Sequence, residues 1–169
     1  RRERLIQMMG IITSHDGPSL VEGQLAGRIG GWEDIKAEAE PKRRINLILE
    51  NRNRQHQAYQ NFDAFLEAGG QAGPQHDPIT EGTYYLNPWC VSIEEAPVLH
   101  VMEGEVAVIK ARVGLAEQDI SGPTFKFGSI VNPGHCGLWA EPVRTGSWLF
   151  NPRCYEATIV PTKIITLYW

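Results

Sequence analysis

Gly82-Thr83-Tyr84-Tyr85-Leu86-Asn87-Pro88-Trp89-Cys90 returns 64 positions later as Gly146-Ser147-Trp148-Leu149-Phe150-Asn151-Pro152-Arg153-Cys154. Gly, Asn, Pro and Cys recur identically at that offset, and Pro97 meets Pro161 beyond them. Aromatic or large apolar residues fall at Tyr84/Trp148 and Leu86/Phe150. Each copy spells a turn on Gly, a short strand of β-favouring residues, a stop at Asn-Pro and a second strand after it. Proline has no N–H to give a sheet ladder, so the strand must end, bulge or lie at an edge there. Self-similarity at one fixed offset outranks local motifs in deciding an architecture. The expectation is two related β-rich units.

Upstream of the first copy, Leu5 to Thr13 is apolar and β-branched enough for a strand, and His15-Asp16-Gly17-Pro18 is a turn. Ser19 to Arg28 alternates loosely around Gly23 and Gly27, as a short strand would. Trp32 to Ala39 favours helix and stops before Pro41, while Arg43 to Leu49 fits a strand or a helical turn equally. From His56 to Ala68 the spacing of Tyr59, Phe62, Phe65 and Leu66 predicts a helix with an apolar face, closed by Gly69-Gly70. That face reads as core packing. Gln71 to Pro78 carries Gly73-Pro74 and Asp77-Pro78 and reads as loop.

Between the copies, Val91 to Val101 is extended. Val106 to Val113, with Lys110 and Arg112 alternating, predicts a half-buried strand. Phe125 to Val131 lies between turns at Gly122-Pro123 and Pro133-Gly134, and Ala157 to Trp169 is strand-like around Pro161. Many short strands with closely spaced turns imply a mainly β chain with a helical insertion, an α+β class built as two tandem small β-barrel or sandwich-like modules. The first repeat spans 1–102 with its helical insertion at about 32–68, and the second spans 103–169.

Composition narrows the function. A chain of 169 residues can bury a core. Its formal charge of −4 and the absence of a basic stripe argue against nucleic acid as a partner. Three cysteines cannot all pair within one chain, so a disulfide framework is not expected and a reducing compartment is favoured. No apolar run approaches the ~18 residues needed to span a bilayer. The sequence opens at Arg1 without Met and closes inside an apparent strand at Trp169, which points to a segment of a longer protein.

Several stretches resemble a known family. Phe65-Leu66-Glu67-Ala68-Gly69-Gly70-Gln71-Ala72-Gly73-Pro74-Gln75, followed by Gly82 to Pro88, resembles the upstream region of bacterial flotillin-like proteins. These belong to the band 7 or SPFH (stomatin, prohibitin, flotillin) superfamily. The segment Gly10 to Gly23, the Gly-Glu-Val-Ala-Val-Ile run at Gly104 to Ile109, and the closing Val160 to Trp169 are similar to the same pattern. The resemblance covers the chain from about Met9 onward, though Gly31 to Asn53 is longer and more charged than the pattern. It implies a membrane-associated, non-enzymatic scaffold that forms homo-oligomers and touches other membrane proteins, its membrane contact lying in segments outside this chain. These motifs are turns and carry no catalytic signature.

The chemistry-bearing residues are weighed one group at a time. Cys90, His135, Cys136 and Cys154 are zinc-ligand types, but no Cys-x2-4-Cys pair is present, and adjacent strand residues point to opposite faces. Small buried thiols are the simpler account. Ser14-His15-Asp16 has triad residue types in sequence rather than in space, and no Gly-x-Ser-x-Gly elbow is present. Glu33-Asp34 and Glu94-Glu95 are neighbours that read as solvated surface, since acid/base pairs must face one another across a cleft. The glycine-rich stretches at Gly27 to Gly31 and Gly69-Gly70 match no phosphate loop. Lys42-Arg43-Arg44 with Arg52 and Arg54 forms a basic cluster that reads as a solvated face. Trp89, Trp139, Trp148 and Tyr155 border the Asn-Pro motifs and, where exposed, would make a protein-binding patch. The expectation is a chain with no catalytic, cofactor-binding or metal-ligating residues. The alternative is a ligand- or metal-binding β module that uses the cysteines.

Overall fold

The computed structural model describes residues 6–116, 118–121 and 130–162. Strand β1 (Met8–Ser14) is followed by helices α1 (Glu33–Ala37), α2 (Pro41–Ile48) and α3 (Phe62–Glu67), with a 3-10 turn at Asn53–His56. Strands β2 (Gly73–Pro74), β3 (Val91–Pro97), β4 (Leu99–Val101) and β5 (Glu105–Ala111) come next. They are followed by β6 (Ile130–Val131), β7 (Gly137–Trp139), β8 (Gly146–Trp148) and β9 (Tyr155–Pro161). The fold is mainly β with few helices, an α+β chain of several sheets. Their orders are β2-β1-β3, β6-β7-β5-β9 and β4-β8. Among the described residues none closes into a barrel, which corrects the barrel form of the sequence expectation. The widest described sheet has four strands, and its order β6-β7-β5-β9 ends on two edges instead of returning on itself.

The two Asn-Pro stretches share one backbone. Asn87 O accepts from both Cys90 N (3.0 Å) and Val91 N (3.0 Å), as Asn151 O does from Cys154 N (3.0 Å) and Tyr155 N (2.9 Å). Each asparagine side chain also caps the turn, taking the N–H of Trp89 at 3.0 Å and of Arg153 at 2.9 Å. The strands that leave the two turns, β3 and β9, lie 64 positions apart. Their partners β1 and β5 lie 97 apart, and the registers correspond: Met8 faces Pro97, and Glu105 faces Pro161. The Gly10/Ile79 bridge matches Ala107/Val143, and Thr13 opposite Pro74 matches Lys110 opposite Leu138. Even the parallel contact of Gly27 with Gln75 has its counterpart in Val131 with Trp139. The duplication is therefore a property of hydrogen bonding as well as of sequence.

The helical insertion sits where the copies differ. The chain takes 48 positions from Gly27 to Gln75 but only 8 from Val131 to Trp139. Pro41 stands at the first turn of α2, where a missing N–H costs nothing, so it ends one helix and starts the next. This resolves Arg43 to Leu49 as helix. The helix expected over 56–68 is shorter, because Gln57, Ala58 and Tyr59 adopt φ of 50°, 54° and 66°. The His56 Nδ1 accepts the N–H of Tyr59 at 2.8 Å and diverts the chain before Asn61 caps α3 through Ala64 N.

The insertion glues the copies together. Ile35, Ile45 and Ile48 from α1 and α2 enter the core of the second copy, beside Ala107, Ile109, Val131 and Phe150. Tyr59 and Phe65 instead pack on the first copy, with Ile12, Ile79 and Val91. Each fully buried isoleucine contributes about 1.5–3 kcal/mol by leaving water. Gly134, at φ 96°, lets α1 approach closely: a Cβ there would lie 2.2 Å from Ile35 Cγ2.

Three further expectations needed correction. Gly73–Pro74 is a strand inside the stretch read as loop. Ser19 to Arg28 forms no named strand, only the bridge at Gly27. Thr83 to Leu86 is not a strand, although its counterpart β8 is. The expectations on 122–129 and on 163–169 lie outside the described residues.

Candidate functional site

The junction between the copies is where polar groups have been taken out of water. His76 and Asp77 follow β2 in the first copy, while Asn151 and Tyr155 flank the turn into β9 of the second. The His76 Nδ1 lies 2.6 Å from Asp77 Oδ1, and its Nε2 lies 2.7 Å from the Tyr155 hydroxyl. Asn151 Nδ2 donates to Gln75 O at 2.9 Å. Gln75, His76, Asn151 and Tyr155 are all buried. Burial is the main cause that pushes the Tyr155 phenol well above its ordinary value, with the thiol of Cys154 adding to it, so its proton stays on.

A second polar group extends the junction. The guanidinium of Arg28 makes paired contacts to Asp34 at 2.8 and 3.0 Å and also donates to Leu47 O. Arg52 reaches the same carboxylate and donates to Ile29 O at 2.8 Å. Burial raises the cost of charging Asp34, but the hydrogen bond and charge of Arg28, joined by Arg52, outweigh it and hold the carboxyl below its ordinary 3.8. Trp32 connects the two groups: Arg28 lies 4.8 Å over its ring, and its edge meets His76 at 5.2 Å. Asp34 and Arg52, read as solvated surface, are instead two of the three members of a largely enclosed ion cluster.

Asp77–His76–Tyr155 is a sequence of groups able to relay a proton, so access decides what it can do. The cavity beside it measures about 20 Å³. That is room for one water and for no substrate. The chain of bonds links the first copy to the second.

The other sequence candidates are scattered. Ser14 Oγ donates to Asp16 O at 2.7 Å, and exposed His15 Nε2 lies 3.2 Å from Ser92 Oγ, which is turn geometry rather than a triad. Glu94 pairs with Arg153 across the copies, and Glu33 with Lys36 at 4.0 Å. Arg43 pairs with Glu40, and Arg44 donates to Glu38 O. Cys154 is buried, Cys90 and Cys136 are half-buried, and His135 Nδ1 is 2.7 Å from Ala116 O. Among the described residues no three His, Cys, Asp or Glu side chains form a group that could hold a metal ion, so the cysteine-based alternative lacks a ligand set there. Trp139 and Tyr155 are core, Trp148 is partly buried, and Trp89 is 87% exposed.

No family model, curated protein or solved structure matches the chain.

Sequence reasoning missed the junction because its members lie in four separate stretches. One signal was present. At the repeat offset, His76 stands against Ala140, and Tyr155 against Val91. Positions where copies of a module diverge toward polar residues are candidates for contact between them.

Proposed function

We propose that this chain is a non-enzymatic scaffold segment of a membrane-associated, flotillin-like protein, acting through self-association and partner binding. The observation that carries this is the reuse of one hydrogen-bonded frame in two copies, fused by α1, α2 and an enclosed polar joint. Such a build spends its polar side chains on holding units in register. Tyr85 and Trp89, 85% and 87% exposed, and Ile93 on β3 supply apolar area of the kind that partners cover. The membrane half of the proposal rests on the resemblance to the SPFH superfamily. Among the described residues no helix is long and apolar enough to cross a bilayer, and the proposal places the membrane contact in segments outside this chain.

The test is the mass and membrane partition of the protein in its cellular form, by sedimentation and by flotation on vesicles. A homo-oligomer recovered with the membrane fraction is the expected result. A strict monomer confined to the soluble fraction would overturn the proposal.

A further inference from the structure

One face of helix α2 forms a wall of a groove. Lys42, Ile45 and Asn46 lie on that face at i, i+3 and i+4. The other wall comes from the second copy, through Glu141, Val143, Arg144 and, on β8, Trp148. The groove measures about 190 Å³. An apolar space of about 150 Å³ accepts a benzene ring, and small-molecule pockets begin near about 300 Å³. This one therefore suits a single leucine or phenylalanine side chain.

Its floor is apolar and fixed. Ile45 and Val143 are buried, and Trp148 packs against the core that contains both. The indole is held in place, since its Nε1 donates to Arg144 O at 2.9 Å. A seat already ordered before binding costs its ligand less.

The rim carries charge. Lys42 and Arg144 are exposed, one on each wall. Elsewhere the cations are engaged within the chain: Lys36 pairs with Glu33, Arg43 with Glu40, Arg112 with Glu156 and Arg153 with Glu94, while Arg44 donates to Glu38 O. Among the described residues the side chains of Lys42 and Arg144 have no such partner. The chain as a whole is acidic, at −4, so two uncommitted cations bordering one apolar seat are complementary to an anionic ligand. The repeat marks the same place: Arg144 stands where the first copy has Thr80. Half-buried Glu141 repels an acid set beside it, which leaves the ligand's acids to the Lys42 and Arg144 ends. The amide of Asn46 both donates and accepts, as a peptide backbone requires.

We propose that the groove between α2 and Trp148 binds a partner protein through an acidic segment, with an apolar residue in the seat and flanking carboxylates on Lys42 and Arg144. It rests on the partner-binding part of the scaffold reading alone. A soluble monomer that still takes the segment would overturn the oligomer and membrane parts and leave this site standing.

The probe is the blocked peptide Glu-Glu-Leu-Glu-Glu, titrated into the isotope-labelled full chain with the Trp148 Nε1–H resonance as reporter. The resonance shifts saturably, and added salt weakens the binding. The charge reversal K42E/R144E weakens it by about tenfold or more, at an unfolding midpoint unchanged from the parent because both side chains are exposed. The peptide Lys-Lys-Leu-Lys-Lys shows the opposite preference between the two proteins. Absence of a saturable shift at millimolar peptide would overturn the assignment, as would an affinity indifferent to K42E/R144E. Equal binding of Glu-Glu-Ala-Glu-Glu would overturn the apolar seat. Movement of the resonance on dilution of the protein alone would give the groove to a second copy instead.

Discussion

The imidazole Nε2 of His76 lies 2.7 Å from the hydroxyl of Tyr155, a bond between residues 79 positions apart that belong to different copies of one β unit. Both groups are buried, His76 at 3% and Tyr155 at 4% exposed. Replacing Tyr155 by Phe keeps the ring packing against Trp139 and Phe150 but strands the imidazole nitrogen. The expected loss is about 1–3 kcal/mol in urea unfolding, the cost of a buried polar atom without its partner. A loss within about 0.5 kcal/mol, as for an indifferent surface change, would mean that the Tyr155–His76 bond does not help to hold the copies together.

Asp34 gives the fold a dependence on acid. Burial opposes its ionisation, and Arg28 and Arg52 more than compensate, so its pKa in the fold is below the ordinary 3.8. A carboxyl held low in the native state stabilises it fully above the unfolded-chain value, and that contribution is lost as pH falls through the folded value. Unfolding free energy should therefore decline below about pH 4. Asp34→Asn leaves the Arg28 guanidinium, 1% exposed in its side chain, without a counter-charge. It should cost about 3 kcal/mol at neutral pH, the low end for breaking an enclosed pair because Asp34 is itself part-exposed, and it should flatten the acid limb. Denaturant melts across the acid range check both, and an unchanged acid limb in the variant would exclude Asp34 as its source.

The cysteines should separate by reactivity. Burial pushes the Cys154 thiol up to about 12, Asp77 adds to this, and Arg153 pulls weakly the other way. Thiolate is the reacting form, and Cys154 is 1% exposed. Under native conditions iodoacetamide should modify half-buried Cys90 while Cys154 reacts only through unfolding, as peptide mass mapping over time would report. Equal rates at the two would contradict the burial described here.

Much of this fold is legible in a single feature, the Asn87/Asn151 repeat. Asparagine caps its own turn through the same side-chain oxygen in each copy, so an identical residue marks an identical backbone. The strand at β5 is also readable, because Val106 to Ala111 keeps its period on a half-buried sheet. Tyr59 and Phe65 are readable as core for a similar reason. What periodicity hides is the break at Gln57–Tyr59, where the imidazole of His56 competes for a backbone N–H within an apolar spacing that still looks helical. Gly73-Pro74 hides a strand because a pairing of two residues leaves no pattern to detect. Arg28, Asp34 and Arg52 look like ordinary surface charge until the insertion folds them together. Long-range polar clusters of this kind have no local signature.

Native-state hydrogen exchange, read residue by residue on the full chain, tests the duplication most directly. The amides of His15 and Arg112 each donate at 2.8 Å to the equivalent cysteine carbonyls, those of Ile79 and Val143 at 2.9 and 2.8 Å to Gly10 and Ala107, and those of Val91 and Tyr155 to the two asparagines. Two copies of one unit predict that all six fall in the slow class, with each pair alike within about tenfold. Slow exchange in one copy beside free-loop exchange at the same positions of the other would contradict it.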